Sequence, residues 1–220
     1  MTPAKILSMA AALAAAGSVQ AAGVGIRAGT TGIGADVGWN LAPTLDARVG
    51  YSALNFGSHI NSGDVRYDSR LKLSNLSALA DWRALGPFFR LTGGFILNDN
   101  KYDMTGKPSN DTFRINGTTY STSQVASLGG SVKPGNRIAP YLGIGGGNVA
   151  GTGVNFYWDL GIMFQGSPKA SLSAACGPSL NASQCAQLQN DVATAQRGLE
   201  DDVKRFKYYP VANIGITIGF

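Results

Sequence analysis

The sequence predicts an all-β chain: a closed antiparallel transmembrane β-barrel of eight to ten strands, ten preferred, with one amphipathic helix in a long loop. Three observations carry this expectation. The closing stretch YYPVANIGITIGF places Tyr208, Pro210, Ala212, Ile214, Ile216, Ile218 and Phe220 on one face, the period of two that a strand with unlike sides requires. Similar alternating segments recur along the chain, each bounded by turn residues. The N-terminus reads as an export signal.

That signal is MTPAKILSMAAALAAAGSVQA, with Lys5, an uncharged run from Ile6 to Ala16, and small residues Val19-Gln20-Ala21 at a cleavage spacing. The run is shorter than the roughly 20 residues of a membrane-spanning helix. Residues 1–21 are therefore expected to be removed, leaving 22–220 as a single barrel domain. The formal charge of +5 loses Lys5 with them, and the remaining basic residues are scattered, a pattern that does not suit nucleic acid.

The strands follow in order. Val24, Ile26 and Ala28 form one apolar row; Ile33, Ala35, Val37, Trp39 and Leu41 the next; Leu45, Ala47, Val49, Tyr51 and Ala53 the third. From Val65 to Trp82 the phase of the pattern slips near Asn75, which predicts either a bulge or a strand rising beyond the apolar band. Phe89, Leu91, Gly93, Phe95 and Leu97 follow, then Ala126, Leu128 and Val132, then Ile138 to Ile144, Val154 to Phe164, Ala170 to Ala174, and the closing strand. Opposite these rows stand Arg27, Asp36, Asp46, Arg48, Arg90, Asn155, Asp159, Asn213 and Thr217, with many glycines. A soluble sandwich would show the same alternation. Export, together with apolar rows of about transmembrane length, favours lipid outside and a polar lumen inside. Short connections at 40–44, 84–87, 133–137 and 166–169 alternate with longer ones at 55–64, 105–123, 147–153 and 176–206, which favours ten strands over eight.

Residues 181–206 break the pattern. Leu188, Val192, Ala195, Leu199, Val203 and Phe206 recur at steps of three and four, and Asn181 with Gln184 suits a capping box, so a helix is expected there, packed on a rim or loop. Cys176 and Cys185, in an exported chain, are expected to form a disulfide that orders this loop. Two sulfurs without nearby histidines do not suit a metal site, and no cofactor is indicated.

Other motifs are weaker. Gly145-x-Gly147-x-x-Ala150 superficially resembles a dinucleotide loop but precedes no helix. His59 beside Ser58 leaves a lipid hydrolase as a third option, below a channel and a closed barrel. The inward charges Arg27, Arg48 and Arg90 against Asp36, Asp46 and Asp159 must pair in a narrow lumen. They form either a neutral plug or a charged constriction for small polar solutes. Arg66, Asp68, Arg70 and Lys72 alternate above the apolar band as a solvated strand extension or a basic vestibule.

Gly29-Thr-Thr-Gly32, Ile115-Asn-Gly-Thr-Thr-Tyr120, Ile138-Ala-Pro-Tyr-Leu-Gly143, Gly166-Ser-Pro-Lys169 and the Pro210-Val211 strand entry occur in an order that resembles the CarO-like family of small bacterial outer-membrane proteins. That resemblance implies a monomeric, eight-stranded barrel in the bacterial outer membrane and slow uptake of small amino acids. The terminal Phe220 row resembles the assembly signal that such proteins present to the barrel assembly machinery. The expected function is a narrow passive channel for small polar or zwitterionic solutes rather than an enzyme. The alternative is a closed barrel whose loops meet partners or lipopolysaccharide.

Overall fold

The structure, a computed structural model, describes residues 22–62, 65–83, 86, 89–108 and 112–220. The expected signal segment, most of the 84–87 turn, and the side chains of His59 and Arg66 lie outside the described residues.

Eight strands hydrogen-bond in a closed ring. They are β1 (Ala22–Gly29), β2 (Gly32–Ala42), β3 (Leu45–Ser62), β4 (Val65–Trp82), β5 (Arg90–Asn98), β10 (Ile138–Gly146), β11 (Gly153–Phe164) and β13 (Tyr208–Gly219). Each pairs antiparallel with its neighbour in that order, and β13 returns to β1. At the seam Gly23 faces Gly219, and the backbones of Ala22 and Phe220 exchange hydrogen bonds of 2.9 and 3.1 Å. No ring strand is left with an unpaired edge along its ring segment, which is what a sheet without water on its outer side needs.

The preferred count of ten is therefore corrected to eight. The segments expected as barrel strands around Ala126–Val132 and Ala170–Ala174 are β9 (Val125–Lys133) and β12 (Lys169–Cys176), which pair with each other outside the ring. With β6 (Lys101–Pro108) they extend the sheet from the upper half of β4, in the order β4-β6-β9-β12. Loop length misled the count for two reasons. The tight turn at Thr30–Thr31 lies at the same end as the long excursions, whereas 147–152 lies with the short turns at the chain-terminus end. The expected 55–64 loop is mostly strand, and 105–123 contains the end of β6 and the hairpin β7 (Thr112–Ile115) to β8 (Thr118–Ser121).

The outer face of the ring is the alternating row read from the sequence. Ile26, Ile33, Phe95, Leu142, Phe156, Leu160, Ile214 and Ile218 are all exposed there, while Arg48, Arg90, Asp36 and Asp81 are buried inside. Aromatic side chains stand towards both rims: Phe164 and Tyr208 in edge-on contact at one end, Trp82 and Phe220 exposed at the other.

β4 explains the slip in its pattern. Its ladder with β3 runs unbroken from Leu45↔Trp82 to Ser62↔Val65, so there is no bulge. The register holds, and what changes is the character of the side chains on each face. Within the ring the odd positions Asn75, Ser77 and Asp81 point inward and the even positions Ala78, Ala80 and Trp82 outward. Above Ser74 the same alternation carries Leu71 and Leu73 on the inner side and Arg70 and Lys72 on the outer. At this level β4 changes partner from β5 to β6, with Asn75 facing Asn98 and Lys72 facing Lys101. Asn100 Oδ1 accepts from the Ser74 amide at 2.9 Å and from Asn75 Nδ2 at 3.0 Å, which satisfies groups the divergence would leave open.

Beyond the ring, α1 (Ala182–Val203) packs on β12 and the β7–β8 hairpin, burying Ile115, Tyr120, Val125, Leu188 and Val192 as a second core. Asn181 caps α1 through a reciprocal pair with Gln184. Cys176 and Cys185 are joined by a disulfide, with Cα atoms 5.7 Å apart. Asp191 accepts from Tyr120 Oη at 2.6 Å and Asn116 Nδ2 at 3.2 Å, bonds that hold its carboxyl below the usual carboxylate range. Burial, with Asp191 beside it, pushes Tyr120 up to about 12. At the end of the extended sheet, α1 reaches the last strand: Gln196 Oε1 accepts from the Leu172 amide at 3.0 Å, and Gln189 Nε2 donates to the Ala174 carbonyl at 2.9 Å.

Candidate functional site: the ring interior

Three arginines and three aspartates fill the middle of the ring. Arg48, on β3, forks onto Asp159 of β11 with Nη1–Oδ2 at 2.7 Å and Nη2–Oδ1 at 3.0 Å, and its Nε lies 3.1 Å from Asp81 of β4. Arg90, on β5, donates to the same Asp159 at 2.6 Å and to the carbonyls of Gly147 and Trp158 at 3.0 and 3.2 Å. Thr92 Oγ1 donates to Asp81 at 2.6 Å. Arg27, on β1, pairs with Asp36 of β2 at 2.7 Å, and the hydroxyl of Tyr157 donates to the other oxygen of Asp36. The guanidiniums of Arg48 and Arg90 each lie 5.3 Å from the Tyr157 ring centroid, close enough for cation–π attraction. Burial of six charges is tolerable because each meets an opposite charge and further donors or acceptors.

The inward glycines do not leave a bore. A Cβ on Gly215 would lie 2.3 Å from the Tyr157 ring, one on Gly143 or Gly161 within 2.5 Å of Tyr141 Oη, and one on Gly145 2.8 Å from Arg90 Nε. These strands are slim where a neighbour's bulky side chain lies across them. At the chain-terminus end, Val149 and Ala150 are buried, and Val149 Cγ1 is 2.9 Å from where a Gly38 Cβ would sit. One interior cavity, bordered by Arg27, Asn75, Tyr141 and Asp159, offers about 10 Å³ to the centre of a water molecule, room for about one water.

The predicted lumen residues Arg27, Asp36, Arg48, Arg90 and Asp159 thus come together. Asp46 is inward too but stands apart, paired at 3.0 Å with Arg83 and with Asn40 near the short-turn end. Its expected place in the central balance belongs to Asp81. The sequence held signals for what was missed. Asp81 is on the inner side once β4 is read in one unbroken phase, and Tyr141 and Tyr157 alternate with outward Leu142 and Trp158. The vestibule expectation is corrected for Arg70 and Lys72: by alternation they share the outer side of β4 with Ala78 and Trp82 and do not line the mouth. Asp68 lies on that same side. Ser58 lies on β3 beyond the ring, its carbonyl accepting from Ser69 Oγ at 2.9 Å. Gly145 lies near the end of β10, and Gly147 and Ala150 lie in the turn after it, which leads into β11 and not a helix.

No family model matches the sequence, and no curated protein matches it. Among solved structures, the fold resembles Acinetobacter baumannii CarO2, with 22% identity, 93% of this chain and 100% of that chain covered, and a TM-score of 0.62. It also resembles Acinetobacter baumannii CarO, with 23% identity, 90% and 97% covered, and a TM-score of 0.59. The chain therefore shares its overall fold with these two CarO structures.

Proposed function

We propose that this chain is an integral barrel of the bacterial outer membrane, shut at rest by its interior ion-pair network, which holds the extended sheet and α1 at the cell surface. The network carries the reading: six buried charges, each paired, lie across the middle of the ring, which supports a closed lumen. The exposed apolar row and the aromatic rims support a lipid setting, and the long excursions leaving one end support an outward orientation. On this reading the barrel works as a monomer, surrounded by lipid and lipopolysaccharide, and Phe220 is its contact with the assembly machinery. It has no catalytic role. Purified chain in planar bilayers is expected to give no conductance above bare membrane, and proteoliposomes no swelling with glycine or ornithine. Unitary conductance steps from the unmodified chain would refute the closed state.

A second reading is a gated passage for small zwitterions such as amino acids. It is favoured by the chemistry of the plug itself, where guanidinium forks match a carboxylate and aspartates match an ammonium. Swelling with zwitterions, but not with uncharged sugars of equal size, would select this reading over the first.

A further inference from the structure

We propose that Arg70, Lys72 and Lys101 form a binding site for the phosphate groups of outer-leaflet lipid; the proposal rests on the membrane reading above. The change of sign along β4 marks where hydrocarbon ends, because below Ser74 the outward positions are apolar and above it they are charged. The three cations stand on that outward side, directly above the boundary. Their arrangement is unfavourable as it stands. Lys72 and Lys101 are direct antiparallel partners on one face, a pairing of like charges that destabilises a sheet. Lys101 turns to Asp103 at 2.6 Å, which occupies the carboxylate facing Arg70 in the ladder. Arg70 and Lys72 are left without an ion-pair partner among the described residues. Asp68 and Asp103, the acidic side chains on this face, sit higher on the strands than Lys72. An anionic headgroup arriving at the edge of the apolar band would supply the missing counter-charge while its acyl chains continue onto the ring.

The test uses the mature chain folded into neutral phosphatidylcholine vesicles, then extracted and titrated with bisphosphorylated lipid A or its dephosphorylated form, with bound lipid counted by native mass spectrometry. Preference for the phosphorylated form is expected. The double variant Arg70→Gln/Lys72→Gln should lose roughly 25-fold in apparent affinity for it, about fivefold per cation, while Lys204→Gln on α1 changes nothing. Equal binding of the two lipids, or a double variant that binds like the parent, overturns the proposal. Protease protection in the neutral vesicles separates the two ideas: failure to insert would overturn the membrane reading itself, whereas an inserted chain indifferent to phosphate overturns this site alone.

Discussion

Asp159→Asn removes the charge on which the plug converges while keeping the shape of the side chain. Asp159 accepts three charge-assisted hydrogen bonds, two from Arg48 and one from Arg90, and its side chain is 3% exposed. An asparagine retains a carbonyl oxygen for one of them and turns an amide donor towards a guanidinium. It also leaves three interior arginines against Asp36 and Asp81. Charged hydrogen bonds contribute about 1.5–3 kcal/mol each, and breaking a buried pair by removing one partner costs about 3–5 kcal/mol. The retained bond and the second carboxylate at Asp81 offset part of the loss, so about 3–5 kcal/mol is expected rather than the sum over three bonds. Reversible urea unfolding in phospholipid vesicles, followed by tryptophan fluorescence, measures it as a lower midpoint at unchanged slope. A loss below about 1 kcal/mol, within the range of surface ion pairs, would refute the view that this network holds the barrel shut.

Three further outcomes follow from the packing. Gly215→Ala drives a methyl to within 2.3 Å of the Tyr157 ring and should cost about 1–3 kcal/mol in the same assay, with Gly93→Ala, whose methyl would meet its nearest neighbour at 3.9 Å, as a control for glycine chemistry. Replacing both Cys176 and Cys185 by Ser releases a short loop and should lower local stability by about 2–3 kcal/mol, seen as faster amide exchange in α1 and β12 while ring strands stay protected. The Asp191–Tyr120 contact predicts two pH limits for the outer layer. Asp191 is held low, so its contribution is present above the unfolded value near 3.9 and lost as pH falls through the folded one; Tyr120 is raised to about 12, so its contribution is present below about 10 and fades as pH climbs towards 12. Proteolysis of residues 112–203 across pH should report both limits, and Asp191→Asn should remove the acid one.

The apolar rows were legible because every ring strand turns the same kind of side chain outward, so Ile214, Leu160 and Ile33 follow one rule. The inward arginines were legible for the complementary reason. What failed were inferences that assumed a single solvent per strand. The outward side chains of β4 change from apolar to charged above Ser74, and that change looks like a change of register, which hid Asp81. β9 and β12 alternate like barrel strands because they belong to a sheet with one buried face, and alternation alone cannot say what covers it. The glycines were ambiguous for a similar reason: whether the absent side chain leaves an opening or a seat depends on the strand alongside, and Tyr157 over Gly215 decides it. α1 was plain from its period and its cap, since both are local.

The glutamine pair on α1 has a bearing on how the free side of the extended sheet meets other chains. By occupying the Leu172 amide and the Ala174 carbonyl, Gln196 and Gln189 deny a passing chain the two backbone groups it would seize first to add itself as another ribbon. The last strand of the extended sheet is thereby less open to strand addition by a second molecule.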